Sequence, residues 1–420
     1  MSFLLIIADD FTGALDTGVQ FAARGVPTRV VVNLDVEFTT SDVKVLVVDT
    51  ETRHLPAAKA YDVVAKLTER ALQAGVSYIY KKTDSALRGN IGAELAAVLK
   101  SSGYQYLPFL PAFPQTGRTT CNGIHYIDGV PVTESPFGID PFEPVKHAVV
   151  TELIGEQCGL PTKSLPALTK EDDLLKEEGI LVFDAANVDD LYATGYQLLH
   201  QDGLHIMAGC AGFAAVLPEL LGIAVKNSLP FPKLDPRLLV ICGSVNPITR
   251  TQLDKAEKEG FIRQRLTPYQ KLTLDYWQSS QGRTQLIQIE EMLRTNPHCI
   301  IETNDCGGNE KTADYAVQLG IDHETLRVRI ASSLGHLVGE IFTSPFLGTL
   351  LLTGGDTLLQ CMNCIGVGEL EPLCEVERGV VLASFTYHGC RRHVITKSGG
   401  FGQENLLVDL SSRIVNGEIP

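Results

Sequence analysis

Phe3 to Ala8 is a continuous aliphatic run that stops at Asp9-Asp10, and apolar residues then return at helical spacing, at Leu15, Val19, Phe21 and Ala22, until Gly25. This pattern predicts a buried strand, a loop and an amphipathic helix. It then repeats. Thr28 to Asn33 and Val43 to Val48 read as buried strands, Pro56 to Ala74 as a helix, Tyr78 to Lys81 as a strand and Ile91 to Leu99 as a helix. Gly179 to Asp184, Val188 to His200, His205 to Ala208 and Ala211 to Leu221 continue as strand, helix, strand and helix. Strands that are apolar on both sides and alternate with helices predict an α/β chain with a mostly parallel sheet flanked by helices.

Between Asn227 and Arg237 three prolines fall within 11 positions, a density that no helix or central strand accepts. The predicted division is therefore a first domain over 1–226, a proline-rich linker over 227–237 and a second domain over 238–420. A new alternation opens the second domain, with a strand at Leu238 to Cys242 and a helix from Pro247 to Glu259. Further units follow near Cys299 to Glu302 and Tyr315 to Leu319, then a strand-loop-helix at Leu350 to Met362. The Gly- and Pro-rich stretch from Pro111 to Pro144 is too long for a plain connection, and reads as a functional loop or an ordered flap over a site.

Composition narrows the function. The chain has 420 residues, 44% of them hydrophobic, enough for packed cores, so disorder is excluded. Fifty acidic against 35 basic side chains give a net charge of −15, which repels a nucleic-acid backbone. No apolar run approaches the ~18 residues of a membrane helix, and the N-terminus lacks a basic leader, so a cytoplasmic protein is expected. The 10 cysteines, several inside apolar segments, read as reduced core thiols.

In open parallel sheets ligands bind beyond the carboxyl ends of the strands, where loops enter helices. Three such loops carry candidate chemistry in the first half. Asp9-Asp10 offers two carboxylates that can accept substrate hydroxyls, one of them a possible general base; the plainer alternative is a helix cap. Lys81-Lys82-Thr83-Asp84-Ser85-Ala86-Leu87-Arg88 places three cations, hydroxyls and a carboxylate where a small polyhydroxylated anion could sit. In Asp49 to Arg53, Arg53 is suited to a bidentate hold on a carboxylate. The second half offers glycine-rich turns: Cys242-Gly243-Ser244, Thr353-Gly354-Gly355-Asp356-Thr357 and Lys397-Ser398-Gly399-Gly400. Such turns receive phosphate on backbone N–H groups at a helix N-terminus.

Other motifs weigh less. Gly117-Arg118-Thr119-Thr120 lacks the glycine spacing and lysine of a P-loop, and neither a GxGxxG fingerprint nor a GxSxG elbow occurs. Cys361-Met362-Asn363-Cys364 reads as buried helix cysteines, and His388, Cys390 and His393, beside two arginines, as a poor metal site.

Several segments together carry a resemblance: Ala8-Asp9-Asp10-Phe11-Thr12-Gly13-Ala14, Lys82 to Asn90, Pro111 to Pro114 with Gly117 to Thr120, and Asp140-Pro141. Gly243-Ser244, Thr353 to Thr357 and Lys397 to Gly402 complete the set. Over nearly its whole length the chain resembles the four-carbon acid sugar kinase family, whose members phosphorylate acids such as threonate and erythronate with ATP. Ala86 stands where that family more often has Thr, and Leu15 to Gln20 look closer to the threonate-type branch. The resemblance implies a sugar-acid domain, a nucleotide domain and an active site in a cleft between them. On that basis Asp9, Arg53, Lys82, Thr83, Asp84 and Ser85 are expected to hold the acid, with Asp10 or Asp84 as the base. Ser244, Gly354, Gly355, Asp356, Thr357 and Gly400 are expected to cradle ATP with Mg²⁺; the residues that would hold the metal stay open. The partners are then a sugar acid and ATP, and a homo-oligomer is compatible with this reading. The alternatives are a sugar-acid sensor without turnover and a hydroxy-acid oxidoreductase.

Overall fold

A computed structural model of the chain describes residues 3–38, 42–139, 144–169, 177–225, 232–306 and 308–419. The chain divides into two compact units, Met1–Leu229 and Pro230–Pro420. Residues 227–231 of the proline-rich segment, and the Asp140-Pro141 motif, lie outside the described residues.

The first unit opens as strand β1 (Leu4–Ala8), helix α1 (Phe11–Ala22), β2 (Thr28–Val31), β3 (Val45–Asp49), α2 (Ala57–Gln73), β4 (Tyr78–Lys82) and α3 (Ile91–Ser102). β5 (Tyr106–Leu110) leads into a small antiparallel sheet of β6 (Arg118–Cys121), β7 (Ile124–Ile127) and β8 (Val130–Pro131). Then come α4 (Val150–Gln157), β9 (Thr162–Leu165), β10 (Gly179–Phe183), α5 (Val188–His200), β11 (Ile206–Gly209), α6 (Ala211–Ala214) and α7 (Leu217–Leu220). Its main sheet runs β2-β3-β1-β4-β11-β5-β10-β9, every pair parallel. One face, with Leu5, Ile7, Val48, Ile79, Phe109 and Val182, is packed under Val64 and Leu67 of α2, Leu95 and Val98 of α3 and Ile154 of α4. α1 and α6 lie on strands of the same sheet and touch each other.

The second unit contains β12 (Leu238–Cys242), α8 (Pro247–Lys258), β13 (Ile262–Arg265), α9 (Pro268–Leu272), α10 (Ser280–Thr295), β14 (His298–Glu302), α11 (Glu310–Gln318) and α12 (His323–Ile341). β15 (Thr349–Thr353), α13 (Gly355–Cys364), β16 (Glu369–Glu377), β17 (Val380–Tyr387), β18 (Cys390–Lys397) and α14 (Leu406–Asn416) complete it. Its sheet runs β13-β14-β12-β15-β18-β17-β16; the first five strands are parallel and the last three form an antiparallel meander.

The α/β architecture with mostly parallel sheets matches the expectation, and several details correct it. The helix expected over Ala211 to Leu221 is two four-residue turns. β5 was not expected because it contains Pro108, which has no N–H to give a ladder. It is tolerated because pairing with β11 covers only Phe109 and Leu110, beyond the proline. Over its described part the Pro111 to Pro144 stretch carries the short strands β6, β7 and β8 between tight turns. Four of the cysteines expected in the core, Cys121, Cys306, Cys364 and Cys390, are exposed, and Cys158 is half-buried. His388, Cys390 and His393 belong to a hairpin instead: His388 and Gly389 form its two-residue turn, both at positive φ, as the twist of paired strands prefers. No helix among the described residues is long and apolar enough to cross a membrane.

Candidate active site

In the first unit the register aligns Ala8 with both Asp49 and Lys82, so the residues after β1, β3 and β4 emerge side by side. Asp10 caps α1: its backbone is extended, and Oδ1 accepts from Gly13 N at 3.0 Å. The helix-cap reading of Asp10 therefore holds, and the same carboxylate also meets Arg53. The Arg53 guanidinium donates Nε to Asp9 Oδ2 and NH2 to Asp10 Oδ1, each at 2.7 Å, and lies 3.7 Å from Asp84 Oδ1. Asn90 fixes the Arg53 loop by donating to the carbonyls of Thr52 at 2.9 Å and Leu55 at 2.8 Å.

Asp84 is clamped at both oxygens by Arg88, at 2.8 and 2.9 Å, and its Oδ2 also accepts backbone N–H bonds from Ala86 and Arg88. Burial raises its carboxyl, but Arg88 and then Arg53 outweigh that and hold it well below the usual carboxylate range. For Asp9 burial likewise raises, while Arg53 and Lys81 bring the carboxyl below its ordinary value. At the end of β3, burial and then Glu51 push the Asp49 carboxyl well above its ordinary range.

Of the three cations expected to line one pocket, two are paired with carboxylates of the same unit. Lys81 is fully buried on Glu94 at 2.9 Å, Arg88 is spent on Asp84, and Lys82 donates to the Thr83 carbonyl at 2.8 Å. Lys82 nevertheless stands beside the N-terminus of α1, since a Cβ on Gly13 would lie 2.9 Å from its Nζ. Thr83 is buried with its hydroxyl unpartnered. The Ser85 carbonyl accepts from His125 Nε2 at 2.9 Å, and the Thr120 hydroxyl meets His125 Nδ1 at 3.0 Å. The β6-β7 hairpin thus braces the Lys82 to Asn90 loop, a contact the sequence did not disclose.

In the second unit Glu302, Cys242, Thr353 and Lys397 end neighbouring parallel strands in register. The loops that follow hold Asn304, Ser244, Gly354 and Gly399-Gly400. Gly354 has φ +107°, and a Cβ there would sit 3.4 Å from Thr357 Oγ1 and 3.5 Å from Ser244 N. α13 begins at Gly355 with no side-chain cap, leaving its first N–H groups without a side-chain acceptor, as an anion site requires. Asp356 pairs with Arg327 of α12. Gly400 lies near Asn246, 3.7 Å from a notional Cβ to Nδ2.

Asn304 was missed. Its Nδ2 donates to the Ser244 carbonyl at 3.1 Å and to buried Glu302 at 2.9 Å, and Glu302 is held by Arg263 at 2.5 Å. The strand-end argument that singled out Ser244 applies equally to Glu302-Thr303-Asn304, directly after a strand the apolar pattern had marked.

Two family models match the chain, a sugar-binding N-terminal domain over residues 4–217 and a nucleotide-binding C-terminal domain over 239–407. A D-threonate kinase of Salmonella typhimurium is 30% identical over 97% of both chains. A D-erythronate kinase of Heliobacterium modesticaldum is 27% identical over 96% of this chain and 95% of its own. The fold also matches a solved Salmonella typhimurium LT2 structure, with a TM-score of 0.75, 20% identity and coverage of 97% of this chain and 98% of that one. The chain belongs to the four-carbon acid sugar kinase family and is a kinase.

Proposed function

We propose that the protein transfers the γ-phosphoryl group of ATP to the 4-hydroxyl of a four-carbon sugar acid, with D-threonate favoured and D-erythronate next. The single observation that carries this is the pair of strand-end rows: a charged, hydroxyl-rich row in the first unit, and a glycine row with an uncapped helix N-terminus in the second. On this reading 1–226 is the sugar-acid domain, 238–420 the nucleotide domain, and turnover brings the two rows to one cleft.

Within it, Asp10 is the general base. Asp84 has both oxygens bonded to Arg88, and the open Oδ1 of Asp9 is buried. Asp10 uses Oδ1 for Gly13 and Arg53, has no bond to Oδ2 among the described residues, and keeps 18% of its side chain exposed. Proton removal by Oδ2 leaves the hydroxyl oxygen free to attack phosphorus in line. Asp9, Arg53, Lys82, Thr83, Asp84 and Ser85 shape the acid site, Arg53 by aligning the two aspartates and Lys82 by its charge. Ser244, Gly354 to Thr357 and Gly400 receive the phosphates; Mg²⁺ bound with the nucleotide would supply neutralisation of charge on the transferring oxygens. The expected setting is the cytoplasm, with no nucleic-acid or membrane partner.

Mixing the protein with MgATP and a panel of C3 to C6 sugar acids while following ADP tests this reading. Fast turnover only with a C4 acid supports it; faster turnover of hexoses or nucleosides overturns the substrate class. ADP formation without NAD reduction separates it from an oxidoreductase, and binding without ADP would mark a sensor.

A further inference from the structure

Lys397 closes β18, directly before the Ser398-Gly399-Gly400 turn, and is 1% exposed. Its ammonium does not face outward toward a ligand. Nζ donates to Thr249 Oγ1 at 3.1 Å, to the Ser398 carbonyl at 3.0 Å and to the Gly399 carbonyl at 3.5 Å. Thr249 spends its own hydroxyl proton on the Gly399 carbonyl at 2.7 Å, so toward the lysine it can only accept. Three acceptors therefore converge on one nitrogen, which can donate to all of them at once only while it carries three protons.

No carboxylate pairs with this cation among the described residues. Its register neighbours, Thr353 on β15 and Val380 on β17, carry no charge. From β12 the one titratable group facing it is the Cys242 thiol, which burial pushes up to about 12 and so keeps neutral. α8 contributes only the Thr249 hydroxyl. Burial accordingly lowers the lysine to about 8.

We propose that Lys397 is a positioning residue for the nucleotide: its ammonium, sealed beneath the Ser398-Gly399-Gly400 turn, holds that turn in its phosphate-receiving shape and releases it on losing a proton. A neutral amine has two N–H donors and a lone pair, so one of the three acceptors is left facing electron density. The turn loosens, and the positive charge beneath the phosphates disappears with it. The inference rests on the assignment of ATP to the second unit's strand-end row.

The test is the Michaelis constant for MgATP from about pH 7 to about pH 9.5 at saturating sugar acid. The wild-type value rises about tenfold across this range, in line with loss of a single proton near the middle of it, while that for the sugar acid stays level. Lys397→Arg keeps its charge throughout, so its profile is flat whatever its absolute value. Lys397→Met shows a raised ATP constant at every pH and a flat profile. A level wild-type profile overturns the inference, as does an unchanged rise in Lys397→Arg or wild-type ATP affinity in Lys397→Met. If either variant fails to melt cooperatively, the wild-type profile alone decides. Should no sugar acid be phosphorylated, the kinase substrate assignment fails separately, and calorimetric MgADP binding over the same pH range decides the role of Lys397: weakening with pH supports it, and constancy overturns it.

Discussion

Asp10 and Asp84 stand on neighbouring strand ends with the same formal charge, yet their arginine neighbours leave them with different chemistry. A carboxylate bonded at both oxygens by Arg88 and by two backbone N–H groups is a rigid strut and a weak base. Asp10→Asn should therefore lower kcat by about 10²–10⁴ with little change in the ATP constant, the range seen when a general base is removed. Asp84→Asn should act mainly on the sugar-acid constant by loosening the loop. Steady-state kinetics on the two variants check this, and the reverse ranking would transfer the base to Asp84. Because the folded pKa of Asp84 is depressed, its stabilisation is present above the ordinary carboxylate pKa and is lost as pH falls through the lower folded value. Gly354, at φ +107°, is the most conformationally restricted point of the second unit's strand-end row. Gly354→Ala should weaken MgATP binding at least about tenfold through strain in the turn, while sugar-acid binding by calorimetry stays near wild type. The residue types at these sites were legible, since a buried strand followed by carboxylates or glycines marks a strand-end loop. Which cation serves which anion was not: that follows from the register of β1, β3 and β4, which put Arg53 on Asp9 and Asp10 and left Lys81 to Glu94.

The β6-β7 hairpin joins the Lys82 to Asn90 loop through one imidazole. Burial brings His125 down to about 4, so at neutral pH the ring is uncharged, giving Nε2–H to the Ser85 carbonyl and accepting at Nδ1 from Thr120. Between about 6.5 and about 4 the unfolded chain binds a proton here that the folded chain refuses, so stability falls as pH falls across that window. The loss is on the order of 3 kcal/mol. Denaturant titrations at several pH values should show this slope, and His125→Gln, which keeps a donor but cannot titrate, should flatten it. The apolar and glycine-rich pattern disclosed the hairpin only as a long suspicious stretch, because its strands are short and its partner, the Ser85 carbonyl, is invisible in any periodicity. The β16-β18 meander could have been read: Glu369 to Glu377 alternates exposed and buried positions along most of its length. Pro372 within that run obscured it, as Pro108 obscured β5.

Each of the two units carries its own row of strand-end loops, so each ligand should leave its own footprint. Amide hydrogen exchange should slow at 354–357 and 398–400 with MgADP, and at 82–90 with a sugar acid; a footprint that crosses over would reassign the units. The order of strands in the first sheet bears on how this chain is made. β4 finds its outer neighbour only in β11, so residues 83–205 must be synthesised before the centre of the sheet can close. Until then a nascent chain holding β1 to β4 presents β4, Tyr78-Ile79-Tyr80-Lys81-Lys82, as an unpaired strand edge. Production of this protein should therefore depend on the pace of translation and on chaperones that shield such edges far more than its finished stability would suggest.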